Sequence, residues 1–159
     1  MDEVLNIQGL TKFYGKSRGV IDLNLTVERG EVFGYLGPNG AGKTTTIRVL
    51  LNFIRPTQGQ VTIFGMNIRQ KSRQVRKNIG YLPGEVRLYE KLTGAEFLQY
   101  VGHLRNGVSW QYVEELAERL QCNLSRRIRS LSHGNKKKLG LIQAFMHKPE
   151  LIILDEPTA

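Results

Sequence analysis

The residues with the plainest chemical purpose are Gly37-Pro-Asn-Gly-Ala-Gly42-Lys43-Thr44, followed by Thr45. Their spacing is the P-loop pattern G-x-x-x-x-G-K-[ST], a loop whose backbone N–H groups converge on phosphate oxygens. Such a loop needs conformations that glycine adopts most readily, and Gly37, Gly40 and Gly42 supply them. Pro38, Asn39 and Ala41 fill the positions between and are expected to line the same phosphates. Lys43 is long enough to reach β- and γ-phosphates, and the Thr44 hydroxyl is a ligand for Mg²⁺. A helix expected from about Lys43 to Phe53 would add unpaired N–H groups and a partial positive charge at its start. A second acid must complete the metal site from the end of a neighbouring buried strand. Asp155 stands there, after Leu151-Ile-Ile-Leu154, and Glu156 follows, placed to orient or deprotonate a water.

The rest of the chain must position these groups. Its 159 residues suit one domain with a sizeable core. The single cysteine, Cys122, excludes an internal disulfide and fits a reducing compartment. The start lacks the apolar core of a signal peptide, and the most apolar window, Ile47 to Ile54, is far too short to span a bilayer. The net charge of +9 is spread over Lys71–Lys77, Arg126–Arg129 and Lys136–Lys138 with no interleaved aromatics. Those runs read as solvated surface, and no nucleic-acid partner is expected.

Alternation predicts strands at Val4–Leu10 and Ile21–Val27, and short apolar runs predict strands at Val32–Leu36, Gln60–Phe64, Asn78–Leu82 and Leu151–Leu154, the last buried on both faces. Thr93-Gly-Ala-Glu96 is a capping box that opens a helix with Phe97, Leu98, Val101 and Leu104 inward. Trp110, Val113, Leu116, Ala117 and Leu120 mark a second amphipathic helix. A third, with Leu139, Ile142, Phe145 and Met146 inward, ends before Pro149. Strands, then helices, then a strand again describe a helical part inserted into a sheet.

Other phosphate-loop classes fit poorly. Asn135-Lys-Lys-Lys138 lacks the acid of a guanine-recognition motif, a protein kinase uses a different glycine loop, and no heptads separate the two motifs. Leu131-Ser-His-Gly-Asn135 resembles the signature motif of ATP-binding cassette (ABC) proteins, usually Leu-Ser-Gly-Gly-Gln. Together with the P-loop, Leu-Asp-Glu-Pro-Thr and the helical insert, the chain resembles the nucleotide-binding domain of ABC transporters over its whole length. Leu10-Thr-Lys-Phe-Tyr14-Gly15 is similar to the family's adenine-stacking stretch, and Ile79-Gly-Tyr-Leu-Pro83 to the start of its Gln loop. Tyr-Leu-Pro-Gly-Glu and Gly-Asn-Lys-Lys-Lys-Leu-Gly look most like bacterial drug-exporter ATPases.

The resemblance implies an α/β fold of the P-loop NTPase class, with a parallel core sheet, an N-terminal antiparallel β part and an inserted helical subdomain. One ABC-type ATP-binding domain would occupy 1–159, incomplete at its C-terminus, with the helical subdomain at approximately 85–147. It implies ATP and Mg²⁺ as ligands, with Thr44 and Asp155 on the metal and Glu156 as the catalytic base. A second ABC ATP-binding domain would pair head to tail with this one. Ser132, His133, Gly134 and Asn135 would then meet the partner's ATP, a role compatible with Ser132 as a plain N-cap. Tyr14 would stack on adenine; by residue type alone it is an edge-strand tyrosine packing locally. A transmembrane permease subunit would hold the protein on the inner face of the cell membrane, cytoplasmic and peripheral. The rival functions are a soluble ABC ATPase acting on nucleic acid or ribosomes, and a module that binds ATP without hydrolysis.

Three positions depart from the family pattern. His133 replaces a glycine, Asn135 a glutamine, and Gly84 stands where the Gln-loop glutamine is expected, beside Glu85. The family continues past Asp-Glu-Pro-Thr with a cross-dimer loop and a switch histidine, which none of His103, His133 and His147 can be. A fragment or a truncated product is therefore expected.

Overall fold

The computed structural model describes residues 2–105 and 107–156. The chain forms two compact units, Met1–Arg76 and Lys77–Ala159.

The first unit is built on a long hairpin. Strand β1 (Glu3–Tyr14) pairs antiparallel with β2 (Ser17–Glu28) on one side and β3 (Gln58–Ile63) on the other. A short β4 (Met66–Asn67) closes the sheet in the order β2-β1-β3-β4. The register sets Leu5 against Ile63 and Ile7 against Val61, so one apolar face forms across three strands, with Leu10 and Ile63 wholly buried. Helix α1 (Lys43–Leu50) contributes Ile47, Val49 and Leu50 to the buried set, and a short α2 (Ser72–Lys77) buries only Val75. The alternation understated the hairpin, because β1 and β2 continue through polar residues that pair with each other at the exposed end.

The expected strand at Val32–Leu36 is not formed. The segment carries no ladder among the described residues, and Val32 and Leu36 are 99% and 90% exposed. Strand structure belongs to a pair of segments rather than to one, so apolar sequence without a neighbour stays an unladdered coil.

In the second unit β5 (Ile79–Leu82) pairs parallel with β6 (Leu151–Leu154). Parallel neighbours require a long crossover, and here it is helical. Helix α3 (Gly94–Leu104) begins at Thr93 with both hydrogen bonds of the capping box in place. Helix α4 (Trp110–Arg119) is capped by Ser109, a single 3₁₀ turn spans Ile128–Ser130, and α5 (His133–Phe145) is capped by Ser132. Phe97, Leu98, Val113, Leu116, Ile128, Leu139, Ile142 and Met146 form one apolar core between them. The amphipathic reading fails at Leu104, which is 69% exposed, because α3 ends there and the chain turns away at Arg105. Strand β6 is half-buried rather than enclosed on both faces, since β5 is its one ladder partner among the described residues. The lysine run 136–138 is not uniformly solvated either: Lys136 pairs with Glu90 at 2.8 Å and Lys137 is buried.

Candidate nucleotide-binding site

The phosphate loop and Tyr14 belong to the first unit. Gly42 is the N-cap of α1 with φ 88°, and Gly40 has φ 84°. Both lie in the left-handed region that side chains resist. Gly37 needs no such freedom, so of the three expected hinge glycines two serve as hinges. A Cβ on Gly42 would come 2.5 Å from the Gly19 carbonyl oxygen and 3.2 Å from Val20 Cβ, so the loop is seated directly against β2. Gly19 itself admits no side chain, since a Cβ there would meet the Lys12 oxygen at 2.8 Å and Thr45 Cγ2 at 3.3 Å. Sequence reading missed Gly19, which lies two residues before the strand expected at Ile21–Val27 and inside β2 as formed, where a glycine marks close backbone approach.

Pro38 accepts a hydrogen bond from the Ala41 N–H at 3.1 Å, closing a turn that leaves Asn39, Gly40 and Ala41 exposed at its tip. The Lys43 ammonium reaches back across the loop and donates to the carbonyls of Gly37 (2.5 Å) and Pro38 (3.0 Å). Phosphate oxygens are stronger, charged acceptors for the same ammonium. The N-cap glycine offers α1 no side-chain acceptor, whereas Thr93, Ser109 and Ser132 cap the later helices. Nor is there an acid in the first turn of α1, so no carboxylate of its own offsets the partial positive charge at its start. Thr44 is exposed on that turn, while Thr46 turns inward and donates to the Gly42 carbonyl at 3.0 Å. Tyr14 is 45% exposed, its hydroxyl 3.4 Å from Thr45 Oγ1 and the Lys12 ammonium 5.3 Å from its ring centre. The expected edge-strand position is not found, because β1 lies between β2 and β3; Tyr14 is a partly open ring at the end of that strand, beside the helix that follows the phosphate loop.

The acid pair and the signature segment belong to the second unit. Asp155 follows β6, and its N–H donates to the Leu82 carbonyl at 2.9 Å, tying the acid to the end of β5. Gly84 lies beside it: a Cβ at Gly84 would be 3.6 Å from the Asp155 oxygen and 3.9 Å from Oδ2. The position that departs from the Gln-loop pattern therefore adjoins the acid end of the parallel pair. Glu156 is exposed and has φ 50°. At the head of α5 the Ser132 hydroxyl accepts from the Asn135 N–H at 3.3 Å, so its capping role is realised. His133 and Gly134 are exposed in the same turn, and a Cβ on Gly134 would meet nothing within 4 Å.

A hard cation such as Mg²⁺ takes oxygen ligands, and a threonine hydroxyl and a carboxylate are of that kind. The described residues hold no cluster of three or more His, Cys, Asp or Glu able to fix a metal alone.

The profile of the family described as ABC transporter matches residues 20–159. The chain is 39% identical over 163 residues to the bacitracin transport ATP-binding protein BcrA of Bacillus licheniformis, covering 99% of this chain and 52% of that protein. It is 40% identical over 159 residues to the BcrA of Enterococcus faecalis, with the same two coverages. The chain thus spans about half the length of these relatives. A solved ATP-binding subunit of an ABC transporter superposes with a TM-score of 0.85 at 32% identity, over 98% of this chain and 67% of that one. The architecture, with its antiparallel N-terminal sheet, parallel strand pair and helices, is that of these ATPase domains. On the matched profile and these identities, the chain belongs to the ABC transporter family.

Proposed function

We propose that this chain is the ATP-binding and ATP-hydrolysing part of an ABC transporter, of the exporter type. The observation that carries the reading is the loop at 37–44, whose left-handed glycines, folded-back lysine and helix start without a side-chain cap would suit a cradle for phosphates. Gly37 to Gly42 and Thr45 would line the phosphates, Lys43 would neutralise them, and Tyr14 would stack on the adenine. Thr44 and Asp155 would hold Mg²⁺, which when bound supplies charge neutralisation on the phosphate oxygens. Glu156 would take the proton of the attacking water.

Ser132, His133, Gly134 and Asn135 would meet the ATP of a second, head-to-tail domain, at a helix start suited to anions. A permease subunit would carry the transport path; none of the described helices is long and apolar enough to cross a membrane. On this reading the protein would sit on the cytoplasmic face of the membrane, held there by the permease. The whole of 1–159 is read as one ATP-binding domain with a helical insertion at approximately 85–147. Transport by BcrA relatives supports the transporter reading over a nucleic-acid-directed ATPase.

The test is Glu156→Gln in the full-length protein. The variant is expected to keep Mg-ATP affinity and to lose turnover by orders of magnitude. Turnover equal to that of the parent would remove Glu156 from the chemistry.

A further inference from the structure

Lys137 is 7% exposed, in a residue class that is rarely buried unless its charge is met. It shares a face of α5 with Gly140 and Ala144, one and two turns on. That face is the one turned to β5. A Cβ on Gly140 would come 2.8 Å from Leu82 Cδ1, and one on Gly80 would collide with the Ala144 carbonyl oxygen. The small residues bring the helix close to the strand, and one turn earlier the same stripe aims Lys137 at the carboxyl end of the parallel pair. There its ammonium donates to the backbone oxygen of Glu156 at 3.0 Å.

Glu156 has φ 50°, a conformation that an L-residue holds only where its surroundings impose it. On the other side of the acid pair, Asp155 donates its N–H to Leu82 at 2.9 Å. The two acids are therefore held between one hydrogen bond to the sheet and one from α5. Holding the Glu156 carbonyl oxygen restrains the ψ rotation of that residue. With φ set as well, the direction of its Cα–Cβ bond is set.

We propose that Lys137 is a positioning residue for ATP hydrolysis: its buried ammonium locks the left-handed backbone of Glu156 and so aims the carboxylate. The inference rests on the reading of Glu156 as the base. Lys137 touches no nucleotide in this account, so its removal acts on the chemical step and not on ATP binding. Misplacing a reacting group by about 1 Å costs roughly 10²-fold in rate.

Steady-state ATP hydrolysis by the full-length protein tests this with Lys137→Met, Lys137→Arg and Glu156→Gln. Methionine keeps the length and the apolar stem and loses the donors; arginine keeps donors. Lys137→Met is expected to lower kcat at least ~10-fold with KM for ATP within about twofold, and Lys137→Arg to recover most of that loss. An unchanged kcat in Lys137→Met overturns the proposal, as does a loss carried wholly in KM or one equally deep in Lys137→Arg. Should Lys137→Met not fold, Lys137→Gln replaces it: a lower kcat at unaltered KM supports the proposal, and parental kcat overturns it. Full turnover in Glu156→Gln would instead reject the base assignment itself. Collapse in Glu156→Gln beside parental turnover in Lys137→Met would reject only the role of Lys137.

Discussion

The seating of Gly42 on β2 makes a prediction with a built-in control. Gly42→Ala keeps the helix-forming sequence but places a methyl 2.5 Å from the Gly19 carbonyl oxygen and 3.2 Å from Val20 Cβ. Two costs add. The left-handed φ of 88° disfavours any Cβ by roughly 1–2 kcal/mol. The methyl also meets backbone rather than a side chain that could swing aside, an overpacking cost of about 1–3 kcal/mol. The sum is about 2–5 kcal/mol. Gly40→Ala carries only the first, because φ is 84° there but nothing lies within 4 Å of its Cβ. Urea denaturation followed by far-ultraviolet circular dichroism reads the difference. With m near 2 kcal/mol/M, the Gly42→Ala midpoint should fall by about 1–2.5 M and the Gly40→Ala midpoint by about 0.5–1 M. Equal midpoints for the two variants would refute the claim that the loop is pressed against β2 at Gly42.

The remaining predictions concern the second unit. Ile142→Ala removes a fully buried side chain from the core and is expected to cost about 2–5 kcal/mol, while Leu104→Ala, at an exposed helix end, should stay within about 0.5 kcal/mol in the same denaturation assay. His147 gives a pH dependence. Burial first, and then the charge of Arg105, hold its imidazole below the ordinary 6.5, against a smaller opposing effect of the Ile79 carbonyl that its Nε2 meets at 3.1 Å. Its buried Nδ1 has no hydrogen-bond partner, so the neutral ring is the form the fold accepts. The unfolded chain then binds a proton that the folded one refuses. Stability from this group is complete above about pH 6.5 and falls as pH drops from there towards the folded value, by up to about 1.4 kcal/mol per pH unit. Unfolding free energies from about pH 7.5 to 5 should show that slope, and His147→Gln should flatten it.

Local chemistry was legible wherever it was carried by neighbours in sequence. The capping box at Thr93–Glu96, the N-cap at Ser132 and the apolar stripe of α5 each sit within one or two turns of chain, and each formed as read; the loop at 37–44 took left-handed backbone at Gly40 and Gly42 but not at Gly37. What failed depended on partners distant in sequence. Val32–Leu36 has strand composition but no ladder, and composition cannot say whether a neighbour is in place. Leu104 follows the helical period, yet the period does not announce that the helix ends there. The close approach of Gly19 to the phosphate loop and the burial of Lys137 arise only when β2 meets α1 and α5 meets β5. Lys137 left a faint mark in the sequence, in register with Gly140 and Ala144, whereas Gly19 lay outside the strand expected at Ile21–Val27.

The central claim is that residues 37–44 bind the phosphates of ATP, and isothermal titration of Mg-ATP into the protein and its Lys43→Ala variant tests it most directly. The account predicts saturable one-to-one binding by the parent and at least ~10-fold weaker binding by Lys43→Ala, since on the proposed reading the ammonium now folded onto Gly37 and Pro38 would turn to meet the phosphates. Equal affinities in the two proteins, or no heat from the parent, would contradict it.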